Sequence, residues 1–409
     1  MGIDRRSFMG GVGAAAGLMA FSGGVFAAGP SGGAKLLVVM LRGGYDAANF
    51  LAPVGSDDYH AARPSIALAK SGAGAALAID SDWGLHPACV DVHGLFGAKQ
   101  ALFVPFSGNP SAPRSHFEAQ DLMEAGRSAA SRSDYSSGWL GRAMEIMGSQ
   151  RRGIGALSFT GNLAMTMKGR VSVPNISGDM SKKPDAHSDD LMKKLYKGSD
   201  LAGLADQGVE TRERISREMS ASGMEMESKE MNAASRGAPA AGKGLAGQFE
   251  KIAKIMRQDK LASVGFVDVG GWDTHVSQGA ATGALAGKLG ALSDALGAYA
   301  REMGPQWADT GVIVLSEFGR TFRENGNKGT DHGHGTVAWV LGGRVGGGRV
   351  AGAQERVSMS SLNENRDLKV LNDYRGVAAE TLAKLYGLGA KDLDYILPGA
   401  PKLNLGLFS

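Results

Sequence analysis

Cysteine is almost absent. The chain has one, Cys89, in His86-Pro87-Ala88-Cys89-Val90, so no internal disulfide can form, and the lone thiol reads as a small buried hydrophobe. An excess of one charge is lacking too. Lys and Arg number 44 against 41 Asp and Glu, a formal charge of +3, which leaves no electrostatic footprint for a nucleic-acid partner. Beyond residue 30 no apolar run is long enough to cross a bilayer. Glycine, by contrast, is plentiful at 62 residues. Some lie near the N-terminus, and others punctuate strand ends, where backbone must approach a ligand or other chain closely.

The N-terminus reads as an address. Asp4-Arg5-Arg6-Ser7-Phe8-Met9 sets paired arginines ahead of a phenylalanine, a Gly/Ala-rich stretch runs from Gly10 to Phe26, and Ala27-Ala28 suit cleavage. This is the pattern of a twin-arginine export signal over residues 1–28, and it predicts a periplasmic or secreted protein. The stretch is too short and too rich in glycine for an anchor, so no membrane span is expected after its removal. Roughly 380 residues then remain, enough for one large α/β domain or two smaller ones.

Six continuous apolar runs read as central parallel strands: Lys35–Leu41, Ala101–Phe106, Ala156–Phe159, Ser263–Val269, Gly311–Leu315 and Thr336–Leu341. Segments of helical spacing lie between and after them, including Ser115–Ala125, Gly138–Met147, Thr282–Met303 and Asp373–Leu388. Strand alternating with helix predicts an α/β fold, a central mostly parallel sheet sandwiched by helices, over residues 34–409. The stretch from about Lys182 to Lys260 breaks the rhythm. Rich in Lys, Glu, Met and Ala, it reads as a helical insertion, loosely ordered over Ser220 to Gly244 and ending in a helix near Gly247–Met256.

Five clusters at run ends carry chemistry. Arg42-Gly43-Gly44-Tyr45-Asp46 follows the first run, and Asp46 is either an oxygen ligand or a cap of the next turn. Ser111-Ala112-Pro113-Arg114-Ser115-His116-Phe117-Glu118 follows the second. Ser115 and Glu118 there have capping-box spacing, so Ser115 either caps a helix or serves as a nucleophile beside His116. Gly271-Trp272-Asp273-Thr274-His275 offers a carboxylate and an imidazole to one ion. Ser316-Glu317-Phe318-Gly319-Arg320 leaves a Glu and an Arg at a buried strand end, where they must pair or bind something. Asp331-His332-Gly333-His334 is hard to explain as packing, and ligands are the favoured reading.

These segments, in this order, resemble the exported domain-of-unknown-function family 1501, a branch of the alkaline-phosphatase and sulfatase-like superfamily. The resemblance covers nearly the whole mature chain. It implies a sheet sandwiched by helices, one or two divalent ions (zinc, manganese or calcium) over the strand ends, and a nucleophile at a helix start. Carried over, the metal ligands would be Asp46, Asp273, His275, Glu317 and either His332 or His334, and the residue reading adds Asp331 and the other histidine to the candidates. Ser115 or Ser111 would be the nucleophile, with His116 a proton shuttle and Arg320 an anion holder. There are departures. Arg42 and Gly43 stand where the superfamily places its first acid, and Glu317-Phe318 replaces an Asp-His pair. The arginine of Ser111-Ala112-Pro113-Arg114 comes one residue early for formylglycine conversion. The expectation is an exported metal-dependent hydrolase of phosphate or sulfate esters, small or polymeric. The alternative is a non-catalytic envelope binding protein that keeps a degenerate fold.

Overall fold

An apolar run without polar alternation has to be covered on both faces. The first strand shows how. Leu37, Val39 and Leu41 enter one hydrophobic core, while Leu36, Val38 and Met40 enter another on the opposite side. The computed structural model describes residues 33–128, 135–150, 154–176, 235–236, 238–259 and 262–408. The expected export segment at 1–28 and most of the expected insertion lie outside these residues. The insertion's closing helix lies inside them, as Leu245–Gln258.

The strands in chain order are β1 (Lys35–Leu41), β2 (Leu51–Ala52), β3 (Leu77–Ala78), β4 (Gly84–Leu85), β5 (Ala101–Gly108), β6 (Gly155–Ser158), β7 (Ala262–Val269), β8 (Thr310–Ser316), β9 (Thr336–Gly342), β10 (Arg349–Val350) and β11 (Asn372–Asp373). The large sheet runs β10-β5-β9-β8-β1-β7-β6, with β11 also on β5, and β2-β4-β3 form a small antiparallel sheet. Helices Leu245–Gln258 and Ala284–Met303 cover one face of the large sheet with Leu245, Phe249, Ile252, Leu285, Leu289 and Leu292. Helices Trp139–Gln150 and Tyr374–Tyr386 cover the other with Leu140, Met144, Met147, Val377 and Leu382. The result is a mixed, mostly parallel sheet between two helical layers.

One strand departs from expectation. Thr336–Leu341 reads as parallel in the sequence, but β9 pairs antiparallel with both β5 and β8, while its companions share one direction. The physical reason is the connection. Residues 317–335 contain no helix to carry the chain back across the sheet, and a parallel return needs such a crossover. The reversal has a consequence for the site. The segments after β1, β5, β7 and β8 and the segment before β9 all reach the same edge, the carboxyl end of the parallel strands.

A buried histidine pins a loop near that edge. His86 is fully buried; its Nε2 lies 2.9 Å from the Ala280 carbonyl, and its Nδ1 accepts from the Ala88 amide at 3.1 Å. The Nδ1 bond requires the neutral ring, and burial lowers its pKa below the ordinary histidine value although the Ala280 bond and Asp46 oppose this. The unfolded chain therefore takes up this proton first, so the contribution is complete above about pH 6.5 and is lost as pH falls below it. In urea titrations from pH 7 to pH 5, the wild-type midpoint should fall more steeply than that of His86→Asn. Equal slopes would refute this.

Candidate metal centre

Two close approaches of backbone build the edge. Gly43, just past β1, has φ +119°, and a Cβ there would stand 2.7 Å from the Asp273 amide nitrogen. Only glycine lets the turn after β1 press against the turn after β7. From that turn the Gly43 amide donates to Glu317 Oε1 at 2.7 Å. The segments after β8 and before β9 are clipped together by Gly319 N–H to the His334 carbonyl (2.9 Å), Gly333 N–H to the Gly319 carbonyl (2.8 Å) and Thr321 N–H to the Asp331 carbonyl (2.9 Å). His332 is thereby set opposite Arg320.

Three imidazoles converge on the Asp273 carboxylate. His332 Nδ1 lies 2.9 Å from the Arg114 carbonyl oxygen, His275 Nδ1 lies 3.2 Å from Asp331 Oδ1, and His116 Nδ1 lies 2.9 Å from Glu317 Oε1. Carbonyls and carboxylates only accept, so each Nδ1 carries its hydrogen and each Nε2 is the atom left to face the centre. Those atoms meet. His275 Nε2 is 2.9 Å and His332 Nε2 3.3 Å from Asp273 Oδ1, the two nitrogens are 3.2 Å apart, and His116 Nε2 is 3.4 Å from Asp273 Oδ2. Two ring nitrogens that both present lone pairs at this distance need a shared proton or a cation between them.

The residues fit a metal ion. His116, Asp273 and His332 each offer a ligand atom within 4.8 Å of the others, and His275 adds a fourth donor through its contacts with Asp273 and His332. His116 Nε2 is buried without a hydrogen-bond partner, because its approach to Asp273 is at ion-pair distance but poorly directed. A second group holding each ligand's other nitrogen is the arrangement that orients metal-binding histidines.

Without an ion, protons and Arg320 balance the charge. Burial disfavours the His116 cation, yet contact with Asp273 and Glu317 outweighs it and raises the pKa to about 9. Burial opposes ionisation of Asp273, but His116, His332 and Arg320 hold its carboxyl far below the usual range. Glu317, fully buried, is likewise held low by His116 and Gln120 despite desolvation. Asn325 and His275 lower Asp331.

The other residues expected from the sequence are placed differently. Arg320 is sealed from solvent; it donates to Asp273 Oδ1 at 2.6 Å, to Thr330 Oγ1 at 3.2 Å and to the Thr330 carbonyl. Glu317 Oε1 is occupied by the Gly43 amide, Gln120 Nε2 at 3.0 Å and His116, which makes it the orienting partner of a ligand. Asp46 is gripped by Arg63 at 2.5 and 3.0 Å and by Gln278 at 2.6 Å, apart from the imidazoles. His334 stands beside Asp367 and Arg114, and burial lowers its pKa. Ser115 takes the N-cap position of the His116–Ala125 helix, but its side chain makes no capping bond, so the expected capping box does not form. Ser111 donates its amide to Asn109 Oδ1.

Several supporting residues escape sequence reasoning. The Arg114 carbonyl is a backbone atom with no side-chain signature. Gln120 joins Glu317 to the buried Arg42, which also pairs with Glu124 and Asp268. Asn325 Nδ2 holds Asp331 Oδ1 at 3.0 Å. Only Gln120 carried a usable hint, lying one helical turn beyond His116 on the same helix.

A family model described as "Protein of unknown function (DUF1501)" matches residues 34–397. The chain belongs to the DUF1501 family. No curated protein matches it. Among solved structures, this DUF1501 protein resembles Ps i-CgsB in complex with k-i-k-neocarrahexaose, at 10% identity and TM-score 0.40, covering 90% of this chain and 74% of that one. It also resembles a protein in the alkaline phosphatase superfamily from Vibrio parahaemolyticus, at 12% identity and TM-score 0.36, covering 76% of this chain and 61% of that one. A third is a mutant TAB5 alkaline phosphatase with Mg bound in the M3 site, at 13% identity and TM-score 0.31, covering 75% and 90%. Likenesses this distant carry no weight for the chemistry, which rests on the site itself.

Two substitutions probe the geometry. A Cβ on Gly333 would stand 2.3 Å from the Arg320 carbonyl carbon, so Gly333→Ala should cost about 1–3 kcal/mol in urea unfolding and displace His332. Glu317→Gln keeps the shape but weakens the hold on His116, and chelator competition should show zinc affinity about 10–100-fold lower. Unchanged affinity would remove Glu317 from the support of the centre.

Proposed function

We propose that this protein is an exported, metal-dependent hydrolase of phosphate or sulfate esters. The observation that carries the reading is the convergence of His116, His275 and His332 Nε2 on Asp273, each ring held from behind by an acceptor. Three imidazoles and one carboxylate suit zinc or manganese; calcium prefers an all-oxygen set. One divalent ion matches the one ligand group found among the described residues. When bound, such an ion polarises an ester oxygen and promotes ionisation of a nucleophile.

The chain's own residues supply the rest. Glu317, Asp331 and the Arg114 carbonyl fix the rings. Arg320, locked on Asp273, steadies that ligand, and the amides that open the His116–Ala125 helix would receive the substrate anion. Ser115, at that helix start and free of a capping bond, provides the attacking hydroxyl. Export by the twin-arginine segment, with the site assembled beforehand, places the protein in the periplasm or outside the cell. No helix of the described residues is long and apolar enough to cross a membrane.

One observation favours the non-catalytic alternative. The Phe318 ring packs against His116 and His332 at 4.9 and 5.2 Å, where the superfamily's second ligand would follow Glu317. Elemental analysis and an ester panel decide between the two. The folded wild type should hold about one equivalent of zinc or manganese and release phosphate or sulfate, and Asp273→Ala/His332→Ala should lose both. Metal without hydrolysis across the panel would favour the binding protein. No metal in either would overturn the metal-dependent hydrolase and make the non-catalytic protein the better reading.

A further inference from the structure

Among the described residues the three most exposed large apolar side chains are Val90 at 63%, Val276 at 62% and Phe117 at 55%. Two of the three directly follow histidines of the centre: Phe117 after His116, and Val276 after His275. Isolated exposed apolar residues are ordinary. One opens the His116–Ala125 helix and the other lies in the segment after β7, each the chain neighbour of a ring of the centre, and packing explains neither, because neither side chain is covered. Phe117 is also held in place. The Arg236 guanidinium lies 5.6 Å from its ring centroid, donates to the Phe117 carbonyl at 2.9 Å and pairs with Asp121 at 2.8 Å. A stiffened ring that stays more than half exposed is a platform for another flat group.

We propose that Phe117 and Val276 are specificity-determining residues that receive the organic group of the substrate, so that the centre prefers anionic esters whose leaving group presents a flat apolar face, such as an aryl ester. This rests on the hydrolase reading above. The anion is held at the centre, and the leaving group extends over the rim formed by the two apolar side chains. Covering that rim on binding removes apolar surface from water, which accounts for the preference.

Binding of unreactive analogues tests the idea without requiring turnover. Phenylphosphonate and methylphosphonate, and likewise benzenesulfonate and methanesulfonate, are titrated calorimetrically into the full-length metal-loaded protein. The aryl member should bind about fivefold or more tightly than its methyl partner. That ratio should collapse toward one in Phe117→Ala/Val276→Ser and fall partly in each single variant. Val90→Ser, which alters an equally exposed apolar residue on the Val90–Gly97 helix, should retain it. Metal content measured on each sample shows that the centre is intact. Anion binding with no aryl preference, or a preference that survives the double variant, would overturn the rim while leaving the centre. Failure of every anion to bind the metal-loaded protein would overturn the hydrolase reading and the rim with it.

Discussion

The Asp273 carboxylate is the meeting point on which the site depends. Three imidazole nitrogens and one guanidinium approach its two oxygens within 2.6–3.4 Å. Such a concentration of donors is stable only where the charge is neutralised, and Arg320 supplies one fixed positive charge. It also requires that the turns after β1 and β7 touch. Gly43 permits this, since a side chain there would strike the Asp273 backbone.

Beneath the imidazoles lies a floor of buried guanidinium groups. Arg42 pairs with Glu124 and Asp268, Arg63 with Asp46, and Arg320 with Asp273. None would be tolerable unpaired in so dry a layer. They are linked as well as paired. Gln278 donates to Asp46 and accepts from Thr274 and Thr330, and Thr330 in turn receives Arg320. Asp46 thus belongs to the support of the centre, joined to Asp273 through Gln278, Thr330 and Arg320. A network of paired and linked groups of this kind orients the donor atoms above it.

Much of the fold was legible in the chain. The run Lys35–Leu41 is the strand expected, residue for residue, and the runs at 263–269 and 311–315 gain only a residue at one or both ends. Buried strands with both faces covered leave an unbroken apolar record. The direction of β9 was not legible, because an apolar run reads the same in either direction. Of the site, Asp273, His275 and His332 stood out by spacing and chemistry. The part played by His116 did not, since its neighbours Ser115 and Glu118 carry the signature of a helix start. The Arg114 carbonyl was invisible because it is backbone and its partner His332 lies far away in sequence, and Gln120 offered only its place one turn beyond His116.

What the sequence by itself determined is therefore the local matter: which segments bury, where each strand ends, and which loops are rich in metal-binding side chains. Apolar periodicity and glycine punctuation act over a few residues, and they survive in one dimension. What only the tertiary structure decided is which of those side chains share a point in space. Reversal of β9 brought His332 to Asp273, and the Gly43 contact brought Glu317 beneath His116. Asp46 was drawn to Arg63 and His334 toward Asp367, both away from the imidazoles. Apart from the His275–Asp273 contact, convergence depends on contacts between residues separated by 47–274 positions, and no local pattern records those distances.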